Sequence, residues 1–415
     1  MREMKDSGAR WIGEIPNTWH SDKLKYHLKR KEPKNPGDMT VLSLYRELGI
    51  IPKDSRDDNH NQTSEDTSKY KYVKPGNFVV NKMKAWQGSV AVSDYEGIVS
   101  PAYYVYEFTD NAFDKRYFHH LLRGCYKDEF MRLSGGMRVG QWDLSSDDLN
   151  NTLILIPPLD EQKKIAKFLD AKCSEIDALI SDIQAQIKIL EQYKRSTVIE
   201  TVTKGLDSNV PLKDSGIQWI GKIPETWNCV KGKYILQYIT KPVKENDGVI
   251  TCFRDGEVTL RSKRREDGFT MADKEIGYQG IDVGDLVVHG MDGFAGAIGI
   301  SDSRGKASPV LNVLETEQNK RYIMYFLRSM AYGDVFLALA TGIRVRSCDL
   351  RWNKLAELFY PIPSLEEQNA IVDYIDRIIK ETNDVIVDKT KQIATLEAYK
   401  KSIIFEYVTG KKEVV

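Results

Sequence analysis

KDSGARWIGEIPNTW at residues 5–19 returns as KDSGIQWIGKIPETW at 213–227, with four of fifteen positions changed and a displacement of 208 residues. The same displacement carries the Pro-Gly-Asn-Phe-Val-Val run at 75–80 onto Val-Gly-Asp-Leu-Val-Val at 283–288, and Ser100-Pro101 onto Ser308-Pro309. Farther along, GMRVGQWDL (136–144) matches GIRVRSCDL (342–350), IPPLDEQ (156–162) matches IPSLEEQ (362–368) and LEQYKRS (190–196) matches LEAYKKS (396–402), now displaced by 206. Chance does not hold a register over that distance. The chain is a tandem duplication of about half its length, well beyond the ~20–50-residue periods of solenoid repeats.

Each half divides again. Residues 1–158 and 205–363 mix short apolar runs with Gly, Asn and Asp turns and contain aromatic-rich helical stretches such as YFHHLLRGCYKDEFMRL, which predicts a mixed α/β or α+β domain in each. Residues 159–204 and 364–410 instead carry apolar residues at three- and four-residue steps, leaving 411–415 as a tail. In the first copy these are Ile165, Phe168, Ile176, Leu179, Ile183, Ile187, Leu190 and Tyr193; in the second, Ile371, Ile375, Ile386, Ile393 and Leu396. That pattern is a long amphipathic helix. Ser364 with Glu367 forms a capping box, whereas Pro158 occupies the equivalent place in the first copy and moves that start toward Asp160; Gly205 and Gly410 close the two helices. About 45 residues at ~1.5 Å each give a helix of roughly 65 Å. Two such helices bury their stripes most simply against each other, as a coiled coil.

Of the 415 residues, 41% are hydrophobic and 29% charged, so each half can bury a core. No run of about 18 uncharged apolar residues appears, and the first residues are charged, which predicts no membrane association and a cytoplasmic location. Cys125, Cys173, Cys229, Cys252 and Cys348 are odd in number and never form CxxC, which predicts free thiols and no zinc site. Sixty basic residues balance sixty acidic ones, so nucleic-acid affinity has to come from local clusters.

Catalytic patterns fail on inspection. GIQWIGKI (216–223) approaches the phosphate-loop motif but ends in Ile223, and the other copy has Glu14 where the lysine belongs. Asp148 with Glu161 and Lys163 resembles a metal-nuclease signature, yet Asn369 replaces that lysine in the repeat. GFAGAIG (293–299) lacks dinucleotide-loop spacing and reads as a hairpin. Six histidines are dispersed, and no methyltransferase motif occurs. No catalytic residue, metal site or cofactor is expected in this chain.

Binding is what remains. Arg138 and Arg344 hold the same repeat position, and an arginine fork suits guanine O6 and N7 or a phosphate; pairing with the repeated Asp143 and Asp349 is the competing reading. Arg346 stands beside Arg344. Lys263, Arg264 and Arg265 suit phosphate contact, or a solvated loop. Lys82, Lys84 and Gln87 surround Trp86, which either approaches a groove or closes a hairpin core, and Arg46 completes the candidate DNA-contacting set. The two helices and the WIGxIPxTW segments stay alike between halves, whereas 28–73 and 234–281 share almost nothing. One scaffold with two different loop sets implies two related sites reading different things.

The IPPLDEQKKIAKFLD and IPSLEEQNAIVDYID segments, the LEQYKRS and LEAYKKS helix ends and the WIGEIPNTW and WIGKIPETW domain openings together resemble the specificity subunits of type I restriction-modification systems, over essentially the whole chain. The resemblance implies two target-recognition domains held apart on an antiparallel pair of long helices, each reading one half of a bipartite double-stranded DNA site. It also implies that the helices fix the spacer and dock two methyltransferase subunits, with restriction/translocase subunits joining the full complex. S-adenosylmethionine, ATP and Mg²⁺ then belong to those partners. A coiled-coil scaffold that binds proteins without reading DNA is the competing class.

Overall fold

The structure is a computed structural model that describes residues 2–46, 48–55, 66–136, 142–264, 276–339 and 350–414. Its fold is α+β, built twice. In the first repeat, β1 (His20–Lys23), β2 (Leu28–Lys31), β3 (Leu42–Tyr45), β4 (Gly49–Pro52), β5 (Phe78–Asn81), β6 (Val90–Val92) and β7 (Tyr103–Phe108) precede α1 (Lys115–Cys125), β8 (Leu153–Ile156) and the long helix α2 (Leu159–Lys204). The second runs β9 (Asn228–Lys231), β10 (Gln237–Ile239), β11 (Ile250–Cys252), β12 (Val258–Leu260), β13 (Leu286–His289), β14 (Ile298–Ile300), β15 (Leu311–Glu315), α3 (Lys320–Tyr332), β16 (Phe359–Ile362) and the long helix α4 (Leu365–Val408).

The sheets repeat with the sequence. Antiparallel order β2-β7-β5-β6 in the first repeat becomes β10-β15-β13-β14 in the second. Val105 faces Val79 in one, and Val313 faces Val287 in the other, a shift of 208 on both strands. The β-branched runs FVVN and LVVH are nearly all buried because helices and hairpins cover both sheet faces. The hairpin β3–β4 pairs Leu42 with Pro52, and β11–β12 pairs Ile250 with Leu260, again a shift of 208. The stretches that share almost no sequence therefore share a hairpin and its register. Alternating apolar positions such as Leu42 and Leu44, or Ile250 and Cys252, suffice to bury one hairpin face, and many sequences satisfy that pattern.

The strand before each long helix pairs with the strand after each WIGxIPxTW segment: β8 with β1, and β16 with β9. That pairing brings Trp19 and Trp227, both fully buried, onto the helix starts. Trp19 Nε1 donates to Glu161 Oε2 at 3.0 Å, and Trp227 Nε1 to Glu367 Oε2 at 3.0 Å. The neighbouring glutamines are fully buried and satisfied. Gln162 donates to the carbonyls of Ala112 (2.8 Å) and Pro157 (2.9 Å) and accepts from the Asp114 amide (2.8 Å). Gln368 donates to Gln318 Oε1 (2.7 Å) and the Pro363 carbonyl (3.0 Å) and accepts from Asn319 (2.9 Å). The recurrent Glu-Gln pair thus fastens each helix to its own domain. Ser364 Oγ does accept the Glu367 amide at 3.2 Å, but the Glu367 carboxylate is taken by Trp227, so only half of the expected capping box forms.

The chain forms two compact units, 1–183 with 391–415, and 184–390. Each unit takes one globular repeat and half of each long helix. In the first, Ile165, Leu169 and Ile176 of α2 join Ile403 and Val408 of α4 in one core with Trp19 and Tyr117. There Phe168 meets Tyr407 at 4.4 Å between ring centroids, and Lys400 Nζ bonds both oxygens of Asp177 at 2.7 and 2.6 Å. In the second, Val198 and Val202 of α2 join Ile371, Val372 and Ile375 of α4 around Trp227 and Tyr360. There Lys194 Nζ reaches Asn383 Oδ1 at 2.7 Å, and Lys389 reaches Gln186. The two helices run antiparallel inside each unit. Their covered positions fall at 169, 173, 176, 180, 183, 187, 190 and 194 on α2 and at 379, 382, 386, 389, 393, 396, 400, 403 and 407 on α4. Alternating steps of four and three are the heptad spacing of a coiled-coil seam. Ile165, Ile176, Ile371 and Ile375 are buried and Ile183, Ile187, Leu190, Ile386, Ile393 and Leu396 half-buried, but Leu179 points outward at 46% exposure while Ile180 packs on the core.

The helix ends are fastened as the starts are. Tyr117 Oη of α1 donates to the Val408 carbonyl at 3.0 Å, and Tyr322 Oη of α3 donates to the Val202 carbonyl at 3.3 Å. Among the described residues no helix is long and apolar enough to cross a membrane, and Cys125, Cys173, Cys229 and Cys252 are free thiols.

Candidate nucleic-acid interface and helix faces

The stretches that share almost no sequence carry the β3–β4 and β11–β12 hairpins. In the first repeat the turn places Arg46 over the 3-10 turn Ala85–Gln87, where its guanidinium donates to Gln87 Oε1. In the second, the equivalent turn places Arg254 over Gly293–Ala295, and Arg254 Nη2 donates to Asp292 Oδ1 at 2.9 Å. Carrying Arg46 forward by the 208-residue displacement lands on Arg254, so this residue was within reach of the sequence. The divergent surroundings hid it.

Arg254, Asp292, Arg261, Arg264 and His289 line a cavity of about 750 Å³ beside the second hairpin. His289 Nδ1 accepts the amides of Met291 (3.2 Å) and Asp292 (3.0 Å), which places the proton of the neutral ring on Nε2. Burial holds its pKa below the ordinary value, with the nearby Asp292 charge opposing the shift, so the ring favours the neutral state. The site thus offers arginine forks, one imidazole N–H and the carboxylates of Asp255 and Asp292, a set of donors and acceptors suited to base edges.

The other sequence candidates divide. Arg264 lies 4.0 Å over the Phe253 ring and bonds Asp255 (3.0 and 2.6 Å) and Glu257 (2.8 Å), so its charge is matched within the domain. The short helix Arg261–Arg264 that begins the basic run sets this geometry. Lys263 Nζ bonds Ser303 Oγ at 2.6 Å and remains half exposed. Lys82 Nζ lies 3.3 Å from Asp143, the carboxylate weighed as a partner for Arg138. Lys84 is exposed. Trp86 packs edge-on against Trp142 at 5.6 Å and donates to the Met83 carbonyl at 3.1 Å. Arg138, Arg265, Arg344 and Arg346 lie outside the described residues, as does Asp349.

The nuclease-like trio is dispersed into other work: Asp148 accepts from Ser145 Oγ at 2.6 Å at a helix start, and Glu161 holds Trp19. Among the described residues no group of three or more His, Cys, Asp or Glu is placed to hold a metal ion.

The long helices add a second repeated surface. Leu179 (46% exposed) is equivalent to Val385 (44%), and Tyr193 (48%) to Tyr399 (53%), each pair related by the 206-residue displacement. Large apolar side chains thus stay outside at the same place in both copies.

The chain is a doubled α+β domain with paired helix segments and divergent, arginine-bearing hairpins. A family model described as the type I restriction modification DNA specificity domain matches residues 14–189. The chain is 25% identical over 439 residues to the putative type I restriction enzyme MjaX specificity subunit of Methanocaldococcus jannaschii, covering 97% of this chain and 96% of the relative. It is 26% identical to the MjaVIII specificity subunit of the same organism, over 96% and 94%. Among solved structures, a chain from a study of complex assembly and conformational transition of the type I R-M system matches with a TM-score of 0.69 at 16% identity, over 96% of this chain and 99% of that one. The HsdS subunit of Thermoanaerobacter tengcongensis matches with a TM-score of 0.51 at 16% identity, over 96% and 98%. Over nearly its whole length the chain is therefore similar to type I restriction-modification specificity subunits, and the family's DNA specificity domain matches within its first half.

Proposed function

We propose that the chain is the non-catalytic sequence-reading subunit of a cytoplasmic type I restriction-modification complex. Each globular repeat reads one half of a bipartite site in double-stranded DNA, and the helix pair sets the number of base pairs between the halves. One observation carries this reading: the frame is repeated contact for contact, from Trp19–Glu161 to Trp227–Glu367, while the hairpin surfaces on that frame differ in chemistry. Duplicated support with unlike reading faces serves two unlike half-sites.

Tyr193 and Tyr399, exposed at the same repeat position and one in each unit, fit two copies of one partner, the methyltransferase subunits, since equal surfaces bind equal partners. S-adenosylmethionine is carried by those subunits, and ATP and Mg²⁺ by the restriction/translocase subunits. Near-neutral charge is compatible with DNA binding when the partners contribute much of the phosphate contact.

A gel-shift titration of the complex with its methylating partner tests the proposal. It is expected to retard a duplex carrying the bipartite site far more strongly than a scrambled duplex; equal affinity for both refutes sequence reading and favours a protein-binding scaffold.

A further inference from the structure

We propose that Arg46 and Arg254 are equivalent base-reading residues, each contacting a guanine in a different half-site; this rests on the DNA-reading role above. Arg46 is the first residue past β3 and Arg254 the second past β11, at positions 208 residues apart on hairpins of matching register, in the stretches that share almost no sequence. Both are exposed, Arg254 with 65% of its side chain accessible. Among the described residues each is steadied by one side-chain partner, Arg46 by Gln87 and Arg254 by Asp292. Arg264, by contrast, is held by two carboxylates and an aromatic ring, which makes it a positioning residue for the turn.

The turns are also braced alike. Arg123 of α1 donates to the Arg46 carbonyl, and Arg328 of α3 donates to the Asp255 carbonyl at 2.6 Å. Both braces pass beside a glycine with positive φ. A Cβ at Gly49 (φ +74°) would lie 3.1 Å from Arg123 Nη1, and one at Gly256 (φ +92°) would lie 2.0 Å from Arg328 Nη1. The glycines suit any tight hairpin turn, but the two half-buried arginines are braces that an ordinary surface hairpin lacks. A reading side chain requires such a fixed base, because a fork that wanders loses bidentate geometry. The partners then diversify the reading: Gln87 offers an amide and Asp292 a carboxylate to whatever base adjoins the guanine.

Genome-wide mapping of methylated adenines in the host, with the complete complex carrying R46A, R46K, R254A or R254K, tests the assignment. The wild type is expected to give a two-part motif with a guanine in each half. R46K keeps charge but loses the fork, and is expected to relax one guanine position in one half by ~10–100-fold in discrimination; R254K does the same in the other half. The alanine variants relax the same positions with less methylation overall. Where methylation is too weak to map, binding of the purified complex to duplexes bearing each of the four bases at that position gives the same readout. An unchanged motif in the lysine variants, or relaxation in one shared half, overturns the assignment and leaves DNA reading intact. A wild-type genome with no two-part motif overturns the DNA-reading role itself.

Discussion

Trp19 and Glu161, 142 residues apart, meet through an indole hydrogen bond of 3.0 Å, and Trp227 meets Glu367 at the same distance across 140 residues. Each bond joins a domain opening to a helix start, and in each the tryptophan is fully buried. Glu367→Ala leaves that indole N–H without a partner, so the variant is expected to lose about 1–3 kcal/mol of stability. Glu367→Gln, which keeps an acceptor, loses less. Denaturant unfolding of the two variants side by side checks the order.

The helix-end glycines give a second ranking. Gly205 and Gly410 hold φ of +78° and +72°, a region in which a side chain costs roughly 1–2 kcal/mol. A Cβ at Gly205 would come no closer than 3.3 Å to Glu367 and Trp227, whereas at Gly410 it would fall 2.5 Å from Pro16. Gly410→Ala is therefore expected to destabilise more than Gly205→Ala. Equal losses would mean that backbone conformation alone matters.

Acid stability has an identifiable contributor in the first unit. Burial, with the positive charge of Arg123 adding to it, holds the His119 pKa down to about 3 from an ordinary value of 6.5. The unfolded chain takes up this proton near pH 6.5 and the folded protein resists it until about pH 3, so stability is full above 6.5 and falls progressively toward 3. His119→Gln removes the titrating group. Its melting temperature is expected to change less steeply across that window than the wild type's, and parallel curves would contradict this origin.

Partner docking is tested on Tyr193 and Tyr399, which are about half exposed on the helices. Replacing either with alanine is expected to alter stability by no more than about 0.5 kcal/mol. Native mass spectrometry of the complex should then show one methyltransferase subunit in place of two for each single variant, and none for the double. Full occupancy in the double variant would place docking elsewhere.

The duplication was legible because the residues that fasten helix to domain lie within the repeated motifs, from WIGxIPxTW to the Glu-Gln pair. What those residues touch was not legible, since Gln162 finds Asp114 across 48 residues and only folding brings them together. The helix seam was read with the same phase error in two places, Leu179 and Tyr193, both of which are exposed. From Ile176, steps of three and then four reach Leu179 and Ile183; the helix takes four and then three, through Ile180, and both routes offer an apolar side chain. The basic run at 261–265 advertised phosphate contact, yet Asp255 and Glu257 reach Arg264 from across the hairpin turn, an acid-base pairing that a charge count does not reveal.

Inserting seven residues into both helices at one level of the seam, after Gln184 and after Lys391, most directly tests whether the helix pair measures the distance between half-sites. A heptad preserves the seam and adds about 10.5 Å of helix, the length of about three base pairs. The methylated motif of this variant is expected to keep both half-site sequences and to widen the gap between them by about three base pairs. An unchanged gap, or altered half-sites with the complex still folded and active, would contradict it.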